Sequence, residues 1–74
     1  MAYCVATFHS YYTALRFEKS LKFFGIAVRL VPVPRKISSS CGVSAKFPVE
    51  LKEKVISLAA NQNLEYDKIY ILDE

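Results

Sequence analysis

Apolar and polar positions alternate in four short stretches of this chain and recur at helical spacing in two longer ones. Residues 2–8, AYCVATF, alternate loosely, are rich in strand formers and contain neither Gly nor Pro, which predicts a first strand. Ser10 is a good N-cap for the helix that follows. Within that helix Ala14, Phe17, Leu21 and Phe24 recur at three- and four-residue spacing and mark one apolar face. Arg16, Lys19 and Lys22 fall on the solvated side. Gly25 accepts the left-handed conformation and is a natural stop.

Residues 26–33, IAVRLVPV, predict a second strand, with Val28 and Leu30 on one side and Arg29 and Val31 on the other. Pro32 and Pro34 cannot donate ladder hydrogen bonds, so this strand belongs at a sheet edge. Residues 43–47, VSAKF, alternate again and predict a third strand. Pro48 suits the first turn of a second helix. Leu51, Val55 and Leu58 form the apolar face of that helix, and Glu50 near its start complements the helix dipole. The NQN of residues 61–63 ends it, and residues 68–72, KIYIL, predict a fourth strand.

The order β-α-β-β-α-β, with right-handed crossovers, predicts a ferredoxin-like α+β two-layer sandwich. Its sheet is antiparallel and both helices cover one face. Residues 1–74 form one domain with no repeat or linker. In this topology the first and second strands run in the same direction. The loop after the second strand then lies at the C-terminal end of the first strand, near His9, Ser10 and Tyr11. Cys4 lies toward the opposite end, which places a Cys4–Cys41 disulfide out of reach.

Composition narrows the function classes. A chain of 74 residues that is 53% hydrophobic is near the lower size at which a core supports a fold unaided. No apolar run approaches the roughly 20 residues of a membrane span, and no basic leader precedes a long apolar stretch. A cytoplasmic protein is expected. Two cysteines and one histidine offer fewer soft ligands than a structural zinc site takes, so no metal and no cofactor are expected. The net charge of +3 permits an anionic partner without demanding one.

The stretch VPVPRKISSSCG, residues 31–42, carries the candidate chemistry. It sets a thiol, Cys41, on a polar loop, although cysteine prefers the core. Only the thiolate attacks or carries sulfur effectively, and helix N-termini and cations favour it. The first helix's N-terminus, Arg35 and Lys36 are candidate neighbours, with His9 as a candidate tuning residue. Gly42 allows close backbone approach to a ligand. The amides of Ser39, Ser40, Cys41 and Gly42 can form an anion-binding nest. Read locally, Cys41 also fits a small hydrophobe at the start of the third strand, and Arg35, Lys36 and His9 fit ordinary surface residues. Cys4, in an apolar strand, reads as a core residue.

Nearly the full length of the chain resembles the selenium/sulfur carrier-like family, a short bacterial domain. The resemblance rests above all on VPVPRKISSSCG: a Pro-x-Pro-Arg step ending at Pro34 and Arg35, a spacer, then Ser39, Ser40, Cys41 and Gly42. ALRFEKSLKFFGIAVRL, residues 14–30, is similar to the family's first helix and second strand. The resemblance implies that Cys41 handles sulfur or selenium, as a carrier rather than an enzyme. Its expected partners are a donor enzyme, for example a cysteine desulfurase, and an acceptor protein. The chain departs from the small sulfur-relay carriers with a Cys-Pro-x-Pro motif, because its prolines precede the cysteine. It also lacks a Cys-x-x-Cys pair for a dithiol cycle.

Two other readings stand beside this one. The open sheet face, with Tyr3, Val5, Arg29, Val31, Lys46 and Tyr70, can serve as an interaction surface, and a homodimer through this face or an edge strand is expected. RNA-recognition domains stack bases on such a face. The glycine-aromatic signature of those domains is absent here and the charge is modest, which argues against nucleic acid. A small-ligand regulatory domain rests on fold analogy alone.

Overall fold

The elements follow one another in the expected order: β1 (Ala2–Thr7), α1 (Tyr11–Phe23), β2 (Arg29–Pro32), β3 (Val43–Pro48), α2 (Lys52–Gln62) and β4 (Ile69–Asp73). The structure, a computed structural model, describes residues 1–37 and 41–73. The strands form one sheet ordered β2-β3-β1-β4, with every neighbouring pair antiparallel. Since β1 and β2 both oppose β3, they run in the same direction, as the ferredoxin-like topology requires.

Alternation along the strands sorts side chains to two faces. Cys4, Ala6 and Phe8 join Ala45 and Phe47 against Ala14, Phe17 and Leu21 of α1 and Val55 and Ala59 of α2, in one buried cluster. Both helices therefore cover the same face. Phe17 is the hub of this layer: its ring meets Phe8 edge-on at 5.1 Å and Tyr66 at 6.0 Å. Truncating such a buried Phe to Ala costs about 3–5 kcal/mol.

Capping explains where α1 begins and where both helices end. The Ser10 hydroxyl accepts from the Thr13 amide at 3.3 Å, and the Thr13 hydroxyl donates to the Ser10 carbonyl at 2.8 Å. At the far end of α1, Gly25 adopts φ +80°, the Gly25 amide donates to the Lys22 carbonyl at 3.0 Å, and the Ile26 amide donates to the Leu21 carbonyl at 2.9 Å. This is a Schellman motif, and Ile26 and Leu21 are both buried beside it. In α2, Asn63 takes the left-handed conformation at φ +54° and Leu64 donates to the Ala59 carbonyl at 2.9 Å.

Several boundaries differ from expectation. Residues 26–28 complete the α1 cap and lead out of it, so β2 begins only at Arg29, opposite Lys46. Pro48 stays extended, at φ −62° and ψ 140°, opposite Tyr3 on β1. Its fixed φ suits an extended chain as well as a helix. A 3-10 turn, Val49–Leu51, holds Glu50 and Leu51, and Glu53 is the acidic residue in the first turn of α2. Phe24 belongs to the cap of α1 and is 43% exposed instead of lying in the apolar face.

The second sheet face carries no helix, yet its centre is closed. Val5, Thr7 and Ser44 are fully buried there. Val5 lies between Tyr70 and Lys46 in the strand register, and the Lys46 ammonium rests 4.3 Å from the Tyr3 ring centroid. The buried hydroxyls are bonded: Ser44 to the Val31 carbonyl at 3.3 Å and Thr7 to the Lys68 carbonyl at 3.4 Å.

Candidate functional site around Cys41

Cys41 stands immediately before β3, where the chain returns from the edge strand β2. The Val33 amide donates to the Gly42 carbonyl at 3.2 Å and closes this return one residue beyond the β2–β3 register. Gly42 holds φ +79°, a conformation that L side chains resist. On the outgoing side, the Ile37 amide donates to the Pro34 carbonyl at 3.0 Å and forms a turn with Arg35 and Lys36 at its exposed centre. Ile37 then dips inward and is only 8% exposed. Ser38, Ser39 and Ser40, and with them two of the four amides of the anion nest expected from the sequence, lie outside the described residues.

The two thiols occupy contrasting places. Cys4 is completely buried under the helices, and burial pushes its thiol above the ordinary range against a smaller opposing pull from Lys52. Cys41 is half-buried and packs against the edge of the hydrophobic core. No disulfide joins them, as the topology requires. Cys41 thus combines a role in closing the core with partial access to solvent.

The expected neighbourhood is partly assembled. Tyr11, the first residue of α1, lines a groove of about 250 Å³ together with Pro32, Gly42 and Val43. The start of α1 and the Cys41 loop therefore share one end of the sheet. Positive dipole charge at a helix start favours negative charge nearby. Arg35 and Lys36 are exposed at the turn, and Pro34 is half-buried beside them. His9 follows β1, and the partner the structure shows for it is Asp67, 3.5 Å away in the segment leading to β4.

The linear pattern did not single out Ile37 or Tyr66 as anchors. The signal for Ile37 was present: it is the one apolar residue between Pro34 and Ser38. It pins the turn that leads toward Cys41. Tyr66 sits in a polar stretch, and only the packing on Phe17 shows its part.

Among the described residues no group of three or more His, Cys, Asp or Glu is placed to hold a metal ion. No helix among them is long and apolar enough to cross a membrane. A half-buried thiol beside Gly42 can act as a nucleophile toward sulfur without a deep pocket. No curated protein and no solved structure matches the chain. A family model does: the family described as "Putative Se/S carrier protein-like" matches residues 3–71, from the first strand to the last, and the chain belongs to that family.

Proposed function

We propose that this protein carries sulfur or selenium on Cys41 as a persulfide or selenopersulfide. The observation that supports this reading is the contrast between its two thiols. Cys4 is sealed and held protonated by burial, while Cys41 is reachable at a loop beside the start of α1. Family membership supports the cargo.

The chemistry is an exchange at sulfur and is redox-neutral. The Cys41 thiolate attacks the terminal sulfur of a donor enzyme's persulfide. The donor's S–S bond breaks, its electron pair leaves with the donor cysteine as a thiolate, and a new S–S bond forms on Cys41. A nucleophile on the acceptor then attacks the terminal sulfur, and the electron pair of that bond returns to the Cys41 Sγ. Selenium follows the same course as a Cys41 selenopersulfide. Arg35 and the amides flanking Cys41 stabilise the negative sulfur in this scheme, and Pro34 and Gly42 hold the loop's shape. The donor is a cysteine desulfurase or an enzyme of similar output, and the acceptor is a second protein.

Intact-mass measurement tests the proposal. The protein is incubated with a cysteine desulfurase and cysteine, and excess cysteine is removed before analysis. Wild type is expected to gain the mass of one or more sulfur atoms, and Cys41→Ser none. Equal gain by both, or gain by neither under conditions that load a known acceptor, overturns the reading.

A further inference from the structure

The outward side of α1 differs from an ordinary solvated helix face. Ala14, Phe17 and Leu21 are buried against the core. At about 100° per residue, Tyr12, Leu15, Arg16, Lys19 and Phe23 gather in roughly a 100° arc on the opposite side. All five are exposed, Tyr12 to 74% and Phe23 to 83%. A surface helix usually keeps that side polar. Here large apolar side chains share it with the cations Arg16 and Lys19. The stripe from Tyr12 to Phe23 runs about 16 Å along the helix. At its far end Phe23 and Phe24 meet edge-on at 5.2 Å and, with Lys19 and Gln62, line an open groove of about 350 Å³. At its near end Tyr11 lines the groove beside Gly42 and Val43, so the stripe abuts the Cys41 loop. The one carboxylate of α1, Glu18, lies outside the arc and pairs with Lys22 at 3.3 Å. Arg16 and Lys19 have no ion-pair partner among the described residues.

From this arrangement we infer that the outward face of α1 docks the donor enzyme that loads Cys41, through a donor surface that sets carboxylates between apolar side chains. The inference rests on the sulfur-carrier reading and adds the partner's surface to it. Arg16 and Lys19 meet the carboxylates, and Tyr12, Leu15 and Phe23 meet the apolar positions. Aromatic and Arg side chains commonly anchor such interfaces. Complementary charge sets approach and register. A donor lying along α1 reaches past its first turn to Cys41, where transfer at a half-buried thiol needs the two sulfurs held together.

Other occupants fit this face less well. Both cations stand between Tyr12 and Phe23, in the middle of the stripe, where insertion into a bilayer would bury them. Helices that lie in a membrane surface keep their cations on the polar face, away from the inserted side. A second copy of α1 packed about a two-fold axis would bring Arg16 and Lys19 against their own counterparts, with Glu18 already engaged by Lys22.

Loading rates from two sulfur sources test the docking. One source is a cysteine desulfurase with cysteine. The other is inorganic polysulfide, from which the Cys41 thiolate takes a terminal sulfur while a shortened polysulfide leaves with the electron pair. Polysulfide needs no docking surface. Arg16→Glu and Lys19→Glu should each slow loading by the desulfurase roughly tenfold, and wild-type loading should fall with added salt. Tyr12→Ser and Phe23→Ser should each slow it roughly fivefold. Loading by polysulfide should keep the wild-type rate in all four. Lys54→Glu makes the same charge change at an exposed position of α2 and should keep both rates. Thermal melts separate loss of docking from loss of fold. In fluorescence anisotropy, labelled Cys41→Ser should bind the desulfurase as wild type does, and the α1 variants should bind it more weakly. Variants of the stripe that load from the desulfurase at the wild-type rate, or that slow equally with both sources, overturn the docking surface and leave the sulfur reading standing. A wild type loaded by neither source overturns both. Retention of wild type but not Arg16→Glu on phosphatidylserine vesicles, with desulfurase loading indifferent to the stripe, would give the face to a membrane instead. A dimer abolished by Phe23→Ser, with the same indifference, would give it to a second copy.

Discussion

The Val33 amide and the Gly42 carbonyl meet at 3.2 Å, and this bond closes the loop that presents Cys41. Gly42 makes it with φ +79°, and Gly25 at the end of α1 has nearly the same angle, φ +80°. A Cβ at either position meets nothing within 4 Å. The cost of Gly→Ala at both sites is therefore conformational, about 1–2 kcal/mol. Urea denaturation should show similar losses for the two variants. Only Gly42→Ala should change the alkylation rate of Cys41. A change of that rate by Gly25→Ala alone would detach the loop's geometry from the thiol.

Alkylation order follows from burial. Iodoacetamide should mark Cys41 in the folded protein and reach Cys4 only on unfolding, since Cys4 is 0% exposed. Mass spectrometry of peptides after a short pulse resolves the two sites. Equal labelling of both cysteines would contradict the assignment of Cys4 to the covered face.

Much of this arrangement was legible in the chain, for identifiable reasons. Ser10 and Gly25 delimit α1 because capping depends on short-range chemistry, which the residues themselves express. Val43, Ala45 and Phe47 could be placed on the covered face because the period of a strand is two. The exit of Pro48 was not legible, since a proline φ serves both an extended chain and a helix start. Nor was the fate of Phe24, whose spacing continues the apolar face although the cap turns it outward. At the site, the contrast between Cys4 and Cys41 could be read from their settings. The pairing of His9 with Asp67 could not, because it joins residues far apart in the chain through the β1–β4 contact.

His9 provides a test of what surrounds the thiol. Its side chain is 78% exposed and its neighbour is Asp67. Exposed pairs of this kind contribute little and are screened by salt. His9→Ala should leave both the melting temperature and the pH profile of Cys41 alkylation unchanged within error. A displaced profile would make His9 a tuning residue of the thiol through a contact formed in solution.

Cys4 links stability to alkaline pH. Burial raises its folded pKa, so the folded state holds the proton more tightly than the unfolded chain, whose thiol titrates near about 8.5. The stabilisation is fully present below that value. It is lost as pH rises from there through the higher folded pKa. Cys4→Ala should cost about 1–2 kcal/mol near pH 7 by opening space in the core. The difference between wild type and variant should then shrink as pH rises above about 9. Parallel stability curves across that range would show that the Cys4 thiol ionises equally in both states.

The two edge strands are differently protected. In the β2–β3 ladder the Val33 amide points to Gly42, so Val31 and Arg29 also point inward, and positions 30, 32 and 34 point to the outside. Two of these three positions are Pro32 and Pro34, which have no N–H to offer. A partner strand adding to this edge would find few donors, which is a common defence against edge pairing. On the opposite edge, the Thr7 amide bonds to Lys68, which turns the backbone of Ile69 and Ile71 outward. No proline interrupts β4, and the Ile71 side chain is 53% exposed beside it. The expected self-association therefore runs through β4. Sedimentation over a micromolar to millimolar series should show wild type dimerising and Ile71→Lys remaining monomeric. The double variant Pro32→Thr, Pro34→Thr should form larger assemblies, because its second edge can then pair. A wild type that stays monomeric throughout, or an Ile71→Lys variant that dimerises like wild type, would remove β4 as the self-pairing edge. A double variant no more associated than wild type would mean that the prolines serve the Cys41 loop and not the edge.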